Sequence, residues 1–546
     1  MNRLRAVGAA GLAVLLAACT SSPGGSSTPG GSASATPALS AAPVEAVAPG
    51  EAVKTTSADV AGFDVAQHAV DTSKASPDRL AVTSAAMPPG FATPPPGAGR
   101  QRYLDQKISW TACGGFQCGT VLVPLDWDHP DGQAITLKMK KAPAAEKRAA
   151  TLFVNPGGPG GSGQDMVTSM DPSDFPGHDV IGWDPRGSGQ STPVVRGSTQ
   201  QTDEYFATDT SPDDEAEWAK TVDEVKSFAQ QCRENSGALL DHISTVDNVR
   251  DLDYLRSLVG DPKLDYLGVS YGTYIGAMYG EMYPQRTGRM VLDSAVNITD
   301  DDTVIQAMGF ELALKNYATW CATSKCGLGG TSEAVVKAVT TLFDQLDAKP
   351  LEVRGRQLTQ SLGMTGVVTY LYMGAQGYPL LTNAIKRAQA GDGGVLMATS
   401  DLMNGRDARG NYGSMAFSFP GIACADASDD GVAAVRTELA ADEKKAPILA
   451  KYFGPNLQCT YWTAKPAPQL KITAKGAAPI VVLGATGDPA TPYQHAQSMA
   501  KQLSTGVLVT WKGAGHSAWE LGNDCVKGSV RSWINEGTVP KAGLTC

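Results

Sequence analysis

An α/β fold, with a mostly parallel sheet flanked by helices, is what this 546-residue chain predicts, and three observations carry the prediction. First, short runs that are apolar on both faces recur along it: Leu152-Phe153-Val154, Val180-Ile181-Gly182-Trp183, Tyr266-Leu267-Gly268-Val269, Met290-Val291-Leu292, Ile480-Val481-Val482-Leu483 and Val507-Leu508-Val509. Strands buried on both faces belong to the centre of a parallel sheet. Second, helical periodicity lies between several of them, as in Val246, Val249, Leu252, Leu255 and Leu258 behind the capping residues Ser244-Thr245. Strands alternating with helices build a parallel sheet with right-handed crossovers. Third, an antiparallel hairpin precedes them. Ile135, Leu137 and Met139 alternate with polar residues after the turn Asp131-Gly132, and Val121-Leu122-Val123 supplies the partner strand.

The strand Tyr266–Val269 runs into Gly268-Val269-Ser270-Tyr271-Gly272, a G-x-S-x-G pattern, and a helix-compatible stretch from Thr273 to Tyr283 stops at Pro284. A serine hydroxyl is a poor nucleophile until a base takes its proton. A sharp strand-to-helix turn lifts that hydroxyl above the sheet, and flanking glycines remove side chains that would collide. Two further strands end in the residues such a serine needs. Ile480–Gly484 leads to Asp488, well placed to orient a histidine, and Val507–Trp511 leads to His516 in the loop Gly513-Ala514-Gly515-His516. The chain order Ser270, Asp488, His516 is that of the α/β-hydrolases. After the Leu152–Val154 strand comes Asn155-Pro156-Gly157-Gly158-Pro159-Gly160-Gly161, glycine-rich enough to bring backbone N–H groups to a substrate carbonyl oxygen. One oxyanion donor is expected from Gly158 or its neighbour Gly157, the other from the N–H of Tyr271. A phosphate loop is excluded because no Gly-Lys-Ser/Thr follows.

These segments, with Gly182-Trp183-Asp184-Pro185-Arg186-Gly187-Ser188-Gly189-Gln190-Ser191 and Gly487-Asp488-Pro489-Ala490-Thr491-Pro492, together resemble the actinobacterial tripeptidyl aminopeptidases. These are prolyl-aminopeptidase-like α/β-hydrolase serine peptidases, and the resemblance extends from about Tyr103 to Cys546. Asn155 stands where prolyl iminopeptidases carry His, as in the tripeptidyl group. The resemblance implies that Ser270 is the acylated nucleophile, His516 the general base and then acid, and Asp488 its orienter. It implies release of short peptides, often tripeptides, from free N-termini. It also implies a structural disulfide near Cys424-Ala425-Asp426.

The 218 residues from Ser270 to Asp488 exceed what a bare hydrolase core needs. The surplus is expected as a mainly helical cap, residues 298–469, inserted after the sixth core strand, with residues 100–297 and 470–546 forming the core. A cap can wall off the cleft so that only chain ends enter. It must then hold the substrate ammonium, for which Asp301, Asp302, Glu311 and Asp426 come into consideration without a choice among them. Glu281 and Thr491 are candidates for groups behind the triad, and Arg186 for tying its loop to a core carboxylate.

The N-terminus reads as an address. Arg3 and Arg5 precede an apolar stretch, and Leu16-Ala17-Ala18-Cys19 resembles a bacterial lipobox. Residues 1–18 are then a signal peptide, Cys19 carries lipid that holds the chain to a membrane, and residues 19–99 form a flexible Pro/Ser/Gly/Ala-rich tether. Export favours disulfides among the other nine cysteines. Cys113/Cys118 and Cys321/Cys326 make small loops, Cys525/Cys546 could pin the C-terminus and Cys424/Cys459 could close the insertion. Cys232 would be left over, although sequence does not determine connectivity. No Cys-x-x-Cys or His-x-x-x-His spacing occurs, so neither a metal nor another cofactor is expected. With 45 Lys+Arg against 55 Asp+Glu, net −10, a nucleic-acid partner is not expected either. The leading function is an exported serine exopeptidase acting on peptides or proteins. The alternatives are a carboxylesterase or lipase using the same triad, and an inactive hydrolase-fold envelope binding lipoprotein.

Overall fold

The computed structural model describes residues 62–71, 74–82, 90–427 and 429–546. Ten strands form one sheet: β1 (Thr111–Cys113), β2 (Phe116–Pro124), β3 (Ala134–Ala142), β4 (Ala150–Asn155), β5 (His178–Trp183), β6 (Leu264–Val269), β7 (Thr287–Asp293), β8 (Ile480–Gly487), β9 (Gly506–Ala514) and β10 (Leu544–Thr545). Their spatial order is β10-β9-β8-β7-β6-β4-β5-β3-β2-β1. Everything from β5 to β10 along the sheet is parallel, and β1 to β3 form an antiparallel arm joined through β3 to β5. This is the α/β-hydrolase architecture.

The continuous apolar runs follow from burial on both faces. Leu152, Val154, Leu267, Val269, Val291, Val481 and Leu483 belong to one apolar layer, while Phe153, Tyr266, Met290, Leu292, Ile480 and Val482 belong to the other. The helix Thr245–Leu258 begins at Ser244, whose side chain accepts from the Asp247 N–H.

Between β7 and β8 the chain builds a helical insertion whose members include Gln306–Thr323, Ser332–Ala348, Gln360–Tyr372, Tyr378–Gln389 and Gly394–Met403, with a small hairpin of Leu351–Val353 and Arg356–Leu358. It has its own core around Phe310, Leu314, Tyr317, Phe343, Leu362, Leu381 and Ile385. Counting β1, a three-residue strand without a hydrophobic signature, the insertion follows the seventh strand of the sheet rather than the sixth. Its last third rejoins the main body, because Ala416, Phe417, Ile422, Cys424, Tyr461 and Trp462 pack into the principal core.

The described residues before 100 do not form a free tether. Ala69–Asp71 pairs antiparallel with Gln469–Leu470. The Leu80 N–H donates to the Tyr461 carbonyl, the Asp78 carboxylate accepts from the Val432 N–H, and Ala92 pairs with Ala134. Val65 is buried, and Phe63, Leu80 and Phe91 pack against the principal core. A few apolar anchors thus dock a segment whose average composition is that of a linker. The signal peptide and Cys19 lie outside the described residues.

Disulfides join Cys113–Cys118, Cys321–Cys326, Cys424–Cys459 and Cys525–Cys546, and Cys232 is free and buried. Bonds of this kind form and persist in oxidising compartments, which makes the folded chain extracytoplasmic.

Candidate active site

β6 ends at Val269 and the helix Tyr271–Met282 starts two residues later, with Ser270 alone in the turn at φ 58°, ψ −125°. A non-glycine residue in this region stores on the order of 1–3 kcal/mol of strain and persists only where its surroundings determine it. They do so here. The Ser270 N–H donates to the Asp293 carbonyl at 2.9 Å, and the Ser270 carbonyl accepts from the Thr273 N–H (2.8 Å) and hydroxyl (2.6 Å). The flanking glycines are needed for close approach: a Cβ on Gly268 would lie 2.5 Å from the Gly272 carbonyl oxygen, and one on Gly272 2.7 Å from that of Asn155.

Asp488 stands just past β8 and is 1% exposed. Its Oδ1 accepts from the N–H groups of Ala490 (3.0 Å) and Thr491 (2.9 Å), and its Oδ2 from the Thr491 hydroxyl (3.0 Å). The Nδ1 of His516, in the loop after β9, lies 2.9 Å from Oδ1 and 3.1 Å from Oδ2. The His516 N–H donates to the Tyr372 carbonyl at 2.9 Å, and the Tyr372 ring stands edge-on to the imidazole with centroids 5.2 Å apart. Tyr372 ends the insertion helix Gln360–Tyr372, so the cap rests directly on this histidine. Burial alone would lower the imidazole pKa. The charge and hydrogen bond of Asp488, with the charges of Asp293 and Glu520, outweigh it and hold the group above its ordinary value of 6.5.

One turn at the end of β7 draws the two loops together. While the Asp293 carbonyl holds Ser270, its carboxylate accepts from the Ser517 hydroxyl (2.6 Å) and the N–H groups of Ala518 and Trp519 (both 3.0 Å). The next residue, Ser294, accepts from the Ser517 N–H at 2.9 Å. Two carboxylates therefore stand at adjacent strand ends, Asp293 as the last residue of β7 and Asp488 just after β8. Only Asp488 is hydrogen-bonded to the imidazole; the Asp293 oxygens are occupied by residues 517–519. Among the described residues the Ser270 hydroxyl has no hydrogen-bond partner.

The glycine-rich loop after β4 lies against the elbow. A Cβ on Gly157 would collide with the Val269 carbonyl oxygen and come within 2.9 Å of the Tyr271 nitrogen and 3.0 Å of Ser270 Cβ, and its φ is +89°. The Gly157 N–H is occupied by Asn155 Oδ1 at 2.9 Å. Among the described residues the N–H groups of Gly158 and Tyr271 have no acceptor. Arg186 is fully buried and makes two charged hydrogen bonds of 2.7 Å to Asp251, a structural role.

Three of the four acids considered for the substrate ammonium are otherwise engaged. The Asp426 carboxylate turns into the start of helix Thr245–Leu258, accepting from the Thr245 N–H at 2.8 Å and hydroxyl at 2.5 Å. Glu311 holds Lys315 and the Ile448 N–H, and Asp301 caps Thr303. Glu281 is remote in role as well, fastening Thr473 and Ala474 through three hydrogen bonds, whereas Thr491 does contact Asp488. Sequence reasoning passed over Asp293, Ser294, Ser517 and Tyr372. The only local signal was an Asp ending the apolar run Met290-Val291-Leu292.

A strained serine on a strand–turn–helix elbow, with an Asp–His pair at the same sheet edge, defines a serine hydrolase of the α/β-hydrolase fold. A family model described as TAP-like protein matches residues 446–546. The chain is 35% identical over 499 residues to a Mycobacterium tuberculosis protein named Carboxylesterase B, covering 85% of this chain and 95% of that one. It is 31% identical over 480 residues to Serine protease Hip1 of the same organism, with 81% and 91% covered. It is 30% identical over 476 residues to Tripeptidyl aminopeptidase of Streptomyces coelicolor, with 81% and 85% covered. The chain belongs to the TAP-like family of α/β-hydrolases.

Proposed function

We propose that this protein is a serine exopeptidase that removes short peptides, tripeptides in the first instance, from free N-termini of peptides or proteins. Ser270 Oγ attacks the scissile carbonyl as His516 takes its proton. Asp488, on Nδ1, keeps the proton-accepting Nε2 turned toward the serine and stabilises the imidazolium. The bond between Ser270 and His516 closes when substrate is bound, as catalytic hydrogen bonds often do. The N–H groups of Gly158 and Tyr271 receive the developing oxyanion, each contributing ~3 kcal/mol of transition-state stabilisation. His516 then protonates the leaving amine, and water releases the acyl group from Ser270. The observation that carries this reading is the Asp488–His516 pair held on the same Asp293-Ser294 turn as the Ser270 elbow. The insertion supports the exopeptidase part, since Tyr372 brings it onto His516 where it can wall the cleft. Two relatives named as a serine protease and a tripeptidyl aminopeptidase agree with it. Lipid on Cys19, holding the enzyme at the outer face of a membrane, completes the proposal.

One observation favours a second reading, a carboxylesterase: the relative at 35% identity bears that name. Purified protein is first labelled with a fluorophosphonate, then assayed on tripeptide p-nitroanilides with free and acetylated N-termini and on p-nitrophenyl esters. Labelling at Ser270 and release of p-nitroaniline only from the free tripeptides is expected. Ester turnover with no peptide cleavage selects the carboxylesterase, and peptide cleavage indifferent to acetylation ends the aminopeptidase assignment.

A further inference from the structure

The end of β7 does more than terminate a strand. Asp293 is fully buried, and its carboxylate is met only by donors: the Ser517 hydroxyl and the N–H groups of Ala518 and Trp519. Burial raises this carboxyl above its ordinary value, and the three donors oppose that rise by favouring the ionised form. The same residue's carbonyl accepts the Ser270 N–H, and the Ser294 N–H donates to the Leu483 carbonyl on β8, the strand that leads to Asp488. Ser294 (φ 54°) and Ser517 (φ 88°) are both held in the left-handed region without being glycine. Strain of this kind at two facing residues means that their contact is determined by the surrounding structure rather than by local preference.

We propose that Asp293 is a positioning residue for the hydrolytic reaction, locking the His516 loop to the Ser270 elbow and setting a second buried negative charge behind the imidazole. The inference rests on the serine-hydrolase reading above. It separates two things that a simple helix cap would not. Asp293 fixes distance, because a displacement of about 1 Å between base and nucleophile costs on the order of 100-fold in rate. It also acts through charge. The groups that face His516 are Asp488 from the loop after β8, Asp293 from β7, Glu520 from its own following turn and the neutral Tyr372 phenol from the cap. Removing the Asp293 charge leaves burial less opposed and lowers the imidazole's proton affinity.

The test is the pH dependence of the second-order rate of fluorophosphonate labelling, for wild type, Asp293→Asn and Ser517→Ala, each checked for a cooperative melt. Asp293→Asn is isosteric but neutral. Labelling at pH 8 should slow at least ~10-fold, and the acid limb should move to lower pH by roughly half a unit. Ser517→Ala keeps the charge and loses one hydrogen bond, so it should slow labelling less and leave the limb in place. Asp293→Asn labelled at the wild-type rate, or slowed with an unmoved limb, overturns the proposal. If Asp293→Asn does not fold, the double variant Ser294→Ala/Ser517→Ala decides: wild-type labelling there overturns it equally. A wild-type protein that takes no fluorophosphonate would instead remove the serine-hydrolase reading itself.

Discussion

Replacing Asp488 by Asn is the perturbation whose outcome the geometry specifies most fully. Two backbone N–H groups, of Ala490 and Thr491, both point at Oδ1. An asparagine must therefore keep its carbonyl oxygen there and turn its NH2 to the Oδ2 position, which lies 3.1 Å from His516 Nδ1 and 3.0 Å from the Thr491 hydroxyl. The hydroxyl can rotate to accept. Nδ1 also lies 2.9 Å from Oδ1, but that carbonyl already accepts two N–H groups, so the Nδ1 proton is left facing the NH2; accepting from the NH2 means giving up that proton, which moves to Nε2, the nitrogen meant to take the serine's. The base is then in the wrong tautomer although every heavy atom stays in place. Loss of an orienting carboxylate in this way costs ~10^4 in kcat, or ~5 kcal/mol of barrier. The pair is buried, so water cannot substitute for the lost acceptor. Stopped-flow labelling and steady-state turnover at pH 8, beside circular dichroism and a melting curve, make the measurement. A folded Asp488→Asn protein with more than about a tenth of wild-type kcat would refute the assigned role.

Ser270→Ala should abolish labelling and turnover while shifting the melting temperature little, because Ala carries the same Cβ in the same strained turn; mass spectrometry of labelled protein reads the first and calorimetry the second. Gly157→Ala should abolish activity and lower stability, since φ +89° and the backbone of Val269 and Tyr271 leave no room for a Cβ; a soluble, active variant would contradict the packing. Burial and the Asp293 charge push the Glu520 carboxyl up to about 7, against the opposing pull of His516 and Lys527. A glutamate in the unfolded chain ionises near 4.5, so folding loses stability as pH rises from there to about 7, by at most ~3 kcal/mol. Glu520→Gln should then melt above wild type at pH 8 and together with it at pH 4, as scanning fluorimetry at the two pH values would reveal.

Much of the sheet was legible because central parallel strands have no polar face: Leu264–Val269 is buried at every position and could be read from composition alone. Ser270, Asp488 and His516 stood out for a related reason, each following such a run within a few residues of glycine. The short edge strand Thr111–Cys113 was not legible, being largely exposed and joined to its neighbour by backbone and a disulfide. Nor was the docking of Ala69–Asp71, whose partner lies about 400 residues away at Gln469–Leu470 and leaves no periodicity in either segment. Asp426 is one of the four acids that the sequence leaves open. Its position in the insertion suggested a carboxylate for the cleft, but the Thr245 hydroxyl and N–H, 181 residues earlier, claim it.

Asp293 and Asp488 pose the same problem within the site. Each is an aspartate at the end of a buried strand, each is almost wholly excluded from solvent, and in sequence either could orient a histidine. What distinguishes them is which donors reach them. The loop after β8 curls so that two N–H groups reach Oδ1 of Asp488 and a hydroxyl reaches Oδ2, with both oxygens still facing His516 Nδ1. The N–H groups of residues 518 and 519, with the Ser517 hydroxyl, take both oxygens of Asp293. A buried carboxylate makes a strong charge-assisted bond to whichever donor is fixed in front of it, so the backbone path of residues 516–519 settles the division of labour. His516 goes to one acid and the three residues after it go to the other. That path is in turn imposed by the strained conformation at Ser517 and by the Ser294 hydroxyl beneath it. Proton affinity at His516 is therefore a property of the whole strand-end cluster, which is why changing Asp293, a residue without a hydrogen bond to the imidazole, should move the pH at which the serine becomes reactive.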